Sequence, residues 1–209
     1  LIALVVSGGH TLLVLVKSIG DYQLLGSTVD DAAGECFDKV ARLLGLQPAE
    51  DSMMGGPLID QRAKSGNAGR FSFPRPLMKD RNLNFSFSGL KTSVMNFLKS
   101  HSSTEIEKDL NDICAGFQEA VVDVLVEKSI RACLDHHISS LVVTGGVAAN
   151  SRLRGLMNER SGKEGIKLFI PSPAWCTDNA AMIGITGWLK YKEGVRSAME
   201  LSPQPSLPW

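Results

Sequence analysis

Three glycine-bearing stretches carry the residue types that recognition of a phosphate or a sugar requires. Ser7-Gly8-Gly9-His10-Thr11 follows an apolar run, and its paired glycines let the backbone approach a ligand while presenting N–H groups and the Ser7 hydroxyl. Such a nest suits a phosphate-like anion, although the same residues also read as a plain glycine turn. In Leu141 to Asn150, LVVTGGVAAN, a short β-branched run stops at Gly145-Gly146, and Asn150 and Ser151 are N-cap types ahead of LRGLMNER. The glycines therefore fall where a strand meets a helix start, with N–H groups facing an anion or a sugar. The third stretch, MMGGPLID, places Gly56 one helical turn before Asp60. Asp38 sits between Phe37 and Val40 inside an apolar helical pattern, as either a solvated carboxylate or an acceptor for a ribose hydroxyl.

Metal-ligating types are sparse. In Thr177-Asp178-Asn179 the carboxylate opens a helix, where capping is its ordinary use, and one carboxylate never makes a metal site. His10 stands alone in a turn. His136 and His137 are adjacent, so they cannot reach one ion together and read as partners of a helix C-terminus. The four cysteines form no C-x-x-C pair and read as buried reduced thiols.

The elements that must position these residues follow from periodicity. Leu1 to Val6, Thr11 to Val16 and Gln23 to Ser27 read as three strands, the first two joined by the Ser7-Gly8-Gly9 turn. Ala33, Phe37, Val40, Leu43 and Leu44 recur at helical spacing, with Asp30 and Asp31 suited to the first turn and Gly45 to the end. Gln47 to Gly56 reads as a loop and Leu58 to Ala63 as a helix. Arg70 to Leu90, with two prolines and several aromatics, predicts an irregular, partly buried excursion, and Ser88 caps a helix running through Val94 and Leu98. Ser100 to Glu107 reads as a solvated connection. The longest helix runs from Leu110 to about His136, with Ile113, Phe117, Val121 and Val124 on one stripe and Val122, Val126, Ile130 and Cys133 on the next. A helix from Arg152 to Arg160, a strand from Lys167 to Ile170 and a last helix from Thr177 to Tyr191 follow, and the proline-bearing tail from Leu201 is irregular. The order β-β-β-α, further helices, then β-α-β-α predicts an α/β ribonuclease-H-like domain whose mixed sheet is flanked by helices.

Composition sets outer bounds. The 209 residues are 44% hydrophobic and 21% charged, enough for a sizeable core, and 22 basic residues balance 22 acidic ones. No global charge advertises a polyanion partner, and no apolar run approaches a membrane span. Leu1 falls within an apolar strand with no initiator Met, so a truncated chain is expected.

Taken in order and nearly end to end, VSGGHTLL, DDAAGECFDKVARLLGL, GGPLID, FPRP, NFSFSGLKT, DICAGFQEAVVDVLVEK, VTGGVAANSRLR and CTDNAAMI resemble the tRNA threonylcarbamoyladenosine transferases, once labelled O-sialoglycoprotein endopeptidases. The resemblance implies the actin, sugar-kinase and heat-shock-chaperone superfamily, which pairs two ribonuclease-H-like domains around a nucleotide cleft. Residues 1–175 would form the second of these domains, with a helical insertion at about 46–110. Residues 176–209 would be a crossing helix and tail returning to a first domain. The implied reaction moves threonylcarbamoyl from its adenylate to N6 of adenosine 37 in tRNAs reading codons that begin with A. By the same resemblance Val5, Val6, Ser7, Gly8 and Gly9 hold the phosphate and carbamoyl region of threonylcarbamoyl-adenylate. Asp38, Gly56 and Asp60 contact the ribose and adjoining groups, Asn150 reads the adenosine, and Asp178 is a ligand of one divalent ion, iron or zinc. The sequence assigns no catalytic nucleophile. Lys91, Arg75, Arg152 and Arg154 are candidate contacts to tRNA phosphates. Further implied partners are the other proteins of threonylcarbamoyladenosine synthesis, with no membrane.

Two departures from the family pattern stand out. Its paired histidine ligands, H-x-x-x-H, belong upstream of Leu1, so this chain alone is expected to be inactive. The usual Tyr-Pro-Gly-Gly is replaced by a longer segment from Pro48 to Met54. A non-catalytic scaffold paralogue of the same modification complex is the alternative, opposed by the retained Asn150 and CTDN. A sugar-kinase-like phosphotransferase lacks an identifiable base and magnesium site, and a protease lacks any triad or H-E-x-x-H. The motif wording is nearest bacterial members, implying the cytoplasm. The mitochondrial branch is the alternative if a targeting peptide lies upstream.

Overall fold

A computed structural model describes residues 1–46, 54–198, 200 and 202. Strands β1 (Ile2–Val6), β2 (Thr11–Ser18) and β3 (Asp21–Ser27) open the chain, followed by helices α1 (Ala33–Leu43), α2 (Gly55–Ala63), α3 (Ser88–Lys99) and α4 (Ser103–Asp135). Strand β4 (Ser140–Thr144), a 3-10 turn (Gly146–Ala149), helix α5 (Ser151–Lys163), strand β5 (Lys167–Phe169), a second 3-10 turn (Pro173–Trp175) and helix α6 (Ala180–Lys192) complete it. The sheet order is β3-β2-β1-β4-β5, antiparallel across the first three strands and parallel for β1–β4 and β4–β5. That is the mixed sheet the element order predicts.

Strand alternation builds the core. Ile2, Leu4 and Val6 on β1 share a buried face with Leu13 on β2 and with Leu141 and Val143 on β4. The apolar stripe of α1 packs into the same core, and Phe37 meets Phe117 of α4 edge to face with ring centroids 5.3 Å apart. Seventeen of the residues of α4 are buried, as a helix apolar on most sides requires.

Several element ends differ from the sequence reading. The polar residues after Ser102 are not a solvated connection but the first turns of α4. Ser102 Oγ accepts from Glu105 N at 3.3 Å while Glu105 Oε2 accepts from Ser102 N at 2.8 Å, a capping box that starts the helix early. Ser88 is the first residue of α3 rather than its cap. The cap is supplied at a distance by Asp30, whose carboxylate accepts from Phe87 N at 2.7 Å, Ser88 N at 3.2 Å and the hydroxyls of Ser86 and Ser88. Asp30 and Asp31 accordingly precede α1 instead of lying in its first turn. Burial pushes the Asp30 carboxyl up, but these hydrogen bonds outweigh it and hold the group below the ordinary value. Helix α2 begins at Gly55, ahead of the expected Leu58. The expected loop from Gln47 lies, up to residue 53, outside the described residues, as does most of the tail from Leu201.

The excursion between α2 and α3 is irregular and partly buried, with Phe73, Phe85 and Phe87 in the core. Cations on α4 hold it down. Lys128, wholly buried, donates from Nζ to the carbonyl of Asn82 at 2.9 Å, and Arg131 Nη2 reaches the same oxygen at 2.8 Å. Burial brings the Lys128 ammonium down to about 8, with Arg131 adding to the effect and Asp80 opposing it. The folded state thus holds this proton less tightly than the unfolded chain does. The resulting penalty is complete below about pH 8 and fades as the pH approaches the ordinary lysine value of 10.5. The thiol of Cys36, pushed up to about 12 mainly by burial, acts in the opposite direction above pH 9, so a difference measurement is needed. Relative to Lys128→Met, the parent chain gains stability between pH 8 and 10.5 in urea unfolding, and a pH-independent difference contradicts the assignment.

Candidate active site

Val5 lies opposite Thr144 in the parallel β1–β4 pair, so both strands deliver their carboxyl ends to one edge of the sheet. Open α/β sheets bind ligands at such edges. The turns leaving the two strands touch. A Cβ at Gly145, whose φ is +99°, would fall 2.3 Å from the carbonyl oxygen of Val6. Only glycine permits that approach and that backbone conformation. The tip of the β1–β2 hairpin rests in turn on the start of α1. Gly34 N donates to Ser7 O at 3.1 Å, and Ala33 N donates to the buried Thr11 Oγ at 2.9 Å.

The hairpin tip does not present all its donors outward. Ser7 Oγ accepts from Gly9 N at 3.3 Å and from His10 N at 3.1 Å, so the expected nest closes on the protein's own hydroxyl. An anion there would have to exchange with Ser7 Oγ as the acceptor. Asp38 turns toward α2, where its Oδ1 accepts from Gly55 N at 2.7 Å and so holds the Gly55-Gly56 start of that helix. Gly56 itself is loosely surrounded, with its nearest neighbour the Cβ of Phe37, 3.8 Å from an added Cβ. Asp60 grips the start of α5, its Oδ1 accepting from Ser151 Oγ at 2.7 Å and its Oδ2 from Ser151 N at 3.3 Å. Asn150, 9% exposed, caps α5 through Oδ1, which accepts from Leu153 N at 2.9 Å, and donates from Nδ2 to Gln118 Oε1 at 2.7 Å.

The fold therefore ties Val5, Val6, Ser7, Gly8 and Gly9 to the Gly145 turn that leads to Asn150, and ties Asp60 to the residue after Asn150. Asp38 joins through Gly55. Asp178 is exposed, and no hydrogen bond or ion pair among the described residues links it to the others. It does not cap the last helix. That role falls to Asn179, whose Oδ1 accepts from Ala181 N and Met182 N, so α6 begins at Ala180 rather than Thr177. Among the described residues no three metal-ligating side chains converge, and Asp178 alone does not fit a metal ion.

Three candidate phosphate contacts are already engaged. Arg75 bonds Asp123 and the carbonyl of Phe73, Arg152 makes a two-pronged pair with Glu119, and Arg154 donates to the carbonyls of Ala148 and Pro171. Lys91 makes no ion pair among the described residues. A cavity of about 530 Å³ lined by Gly45, Leu46, Leu58, Gln61, Arg62, Ser65 and Asn111 contains none of the candidate residues. Sequence reasoning missed Gln118, Glu119 and Asp30 as positioning groups. The available signal was Gln118 itself, an amide at the head of the apolar stripe Val122, Val126 and Ile130.

This sheet order, with a hairpin and a strand–glycine–helix junction meeting at one edge, defines a ribonuclease-H-like α/β fold. Solved structures agree on the fold. The crystal structure of T. kodakarensis HypF matches with TM-score 0.57 and 16% identity over 79% of this chain and 21% of that one. The activator of 2-hydroxyisocaproyl-CoA dehydratase from Clostridium difficile, with bound ADPNP, matches with TM-score 0.51 and 13% identity over 94% of this chain and 64% of that one. Sequence goes further. The profile of the tRNA N6-adenosine threonylcarbamoyltransferases matches residues 2–185, and the chain belongs to that family. It is 48% identical over 206 residues to the enzyme of that name from Thermosipho africanus, covering 99% of this chain and 60% of the relative. It is 49% identical over 207 residues to the one from Geotalea uraniireducens, covering 99% and 59%. The chain thus spans about 60% of the length of these relatives. No described helix is long and apolar enough to cross a membrane.

Gly145→Ala tests the contact between the two turns. It forces a side chain into a glycine-only conformation against a carbonyl, and a loss of at least about 2 kcal/mol in urea unfolding is expected. A loss below about 0.5 kcal/mol, the usual range for a surface change, contradicts the packing.

Proposed function

We propose that this chain is the adenylate-binding part of a transferase that moves threonylcarbamoyl from threonylcarbamoyl-adenylate to N6 of adenosine 37 in tRNA. The supporting observation is the meeting of the β1 and β4 turns at one sheet edge, with Asn150 and Asp60 held beside each other there. In this reading Val5 to Gly9 receive the phosphate and carbamoyl groups. Asp38, Gly56 and Asp60 line the ribose, and each carboxylate oxygen of Asp60 keeps a lone pair beyond its bond to Ser151. Asn150 keeps one Nδ2 proton and one Oδ1 lone pair for the adenosine.

The chemistry is acyl transfer. The N6 amine attacks the carbamoyl carbonyl, a tetrahedral oxyanion forms, the bond to the phosphate oxygen breaks, AMP leaves with that electron pair, and the proton lost from N6 passes to the departing phosphate or to water. Backbone N–H groups of the hairpin tip, released from Ser7 Oγ as the anhydride enters, would stabilise the oxyanion. In this reading Asp178 would contribute one ligand to an iron or zinc ion, with two histidines of a first domain as the others. Residues 1–175 are then the second ribonuclease-H-like domain, with the helical insertion at about 46–110. Residues 176–209 form the crossing helix and tail. Its α6 is exposed along its length, Ile183 at 77% and Tyr191 at 62%, consistent with a face that packs on a first domain. Other proteins of threonylcarbamoyladenosine synthesis would act with it, in the cytoplasm.

The test supplies the complete protein with unmodified tRNA and threonylcarbamoyl-adenylate and analyses the nucleosides by mass spectrometry. Modified adenosine is expected, with the rate falling roughly tenfold or more in Asp60→Ala once a ribose hydrogen bond to a charged group is lost. Phosphorylation of a small molecule at the expense of ATP, with no modified adenosine, would replace this reading by a phosphotransferase.

A further inference from the structure

Three successive residues at the start of α5 are each held by a different side chain. Asn150 Nδ2 donates to Gln118 Oε1 at 2.7 Å, Ser151 Oγ to Asp60 Oδ1 at 2.7 Å, and Arg152 to both oxygens of Glu119 at 2.6 Å. Two of the three holders are neighbours on α4. Gln118 is the unexpected member. It is 5% exposed, between the buried Phe117 and the apolar stripe that continues through Val122, a place where leucine or methionine would pack without desolvating an amide. Among the described residues its one hydrogen bond to another side chain goes to Asn150.

We infer that Gln118 is a positioning residue, which fixes the rotamer of Asn150 so that the remaining amide proton and lone pair of Asn150 face the adenosine. The inference rests on the reading of Asn150 as the adenosine contact. Asn150 Oδ1 is already committed to Leu153 N, which settles which end of the amide is oxygen. Gln118 Oε1 then takes one of the two Nδ2 protons, and the plane of the amide is fixed from both ends. Without Gln118 the Asn150 amide still caps α5 but is free to turn about its remaining bond. The cost would fall on ligand recognition more than on folding. Glu119 steadies the same turn by anchoring Arg152, whose guanidinium proton is held more firmly by that carboxylate than in water.

The experiment compares the complete parent protein with Gln118→Met, Gln118→Glu and Asn150→Ala. AMP binding is measured by calorimetry, melting by circular dichroism, and hydrogen exchange of the Asn150 side-chain amide by NMR. Gln118→Met keeps the volume and removes the acceptor. It should weaken AMP binding by roughly tenfold with melting little changed, while Gln118→Glu, which still accepts, stays within about threefold of the parent. The Asn150 amide should exchange slowly in the parent and in Gln118→Glu and fast in Gln118→Met. The inference is overturned if Gln118→Met binds AMP like the parent while Asn150→Ala does not, or if the Asn150 amide already exchanges freely in the parent. Unchanged AMP binding in Asn150→Ala, or none in the parent, would instead remove the adenosine reading. The amide exchange reports the Gln118–Asn150 coupling independently of either.

Discussion

The site depends on the approach of two backbones, the turn after β4 pressing on the last residue of β1. Where a side chain on Gly145 would stand 2.3 Å from the Val6 carbonyl, the two chains have no room for anything but hydrogen. Parallel pairing of β1 with β4 sets the direction, and the glycine sets the distance. From that contact the hairpin tip, the 3-10 turn and the start of α5 acquire fixed relative positions. A second backbone approach, Gly34 against the Ser7 carbonyl, seats the other side of the hairpin on α1.

Helices α1, α2, α3 and α5 begin near polar groups contributed by other parts of the chain: Thr11 for α1, Asp38 for α2, Asp30 for α3, and Asp60 for α5. Each satisfies an N–H that the helix cannot use itself, and each carboxylate is favoured by the positive end of the helix. The same bonds hold the edge rigid. They also mean that a ligand would arrive at donors already occupied, most plainly at Ser7 Oγ. Binding there is an exchange of acceptors, and its net gain comes from the higher charge of a phosphate or an oxyanion over a hydroxyl.

The sheet and most helices were legible because alternation and helical spacing report burial directly. Ile2, Leu4 and Val6 on one face and Phe37, Val40 and Phe117 on helical stripes all lie in the core where their spacing puts them. Glycine pairs correctly marked the turns at the edge. Long-range capping was not legible, since nothing in the local sequence tells that Asp30 serves a helix more than fifty residues away or that Asp60 serves Ser151. Ser100 to Glu107 misled because a capping box is as polar as a loop. Asp178 was read as a ligand through family resemblance, and the described residues bring no further ligand beside it. The three arginines, exposed by type, were engaged in ion pairs and carbonyl contacts that only tertiary structure reveals.

The most direct measurement is a crystal structure of the protein soaked with AMP, the expected leaving group. The phosphate is expected at Gly8-Gly9, with Ser7 Oγ turned away from the N–H groups that now donate to it, and the adenosine against Asn150. Nucleotide bound instead in the cavity beside Gly45, Arg62 and Asn111, with the hairpin tip unchanged, would contradict it.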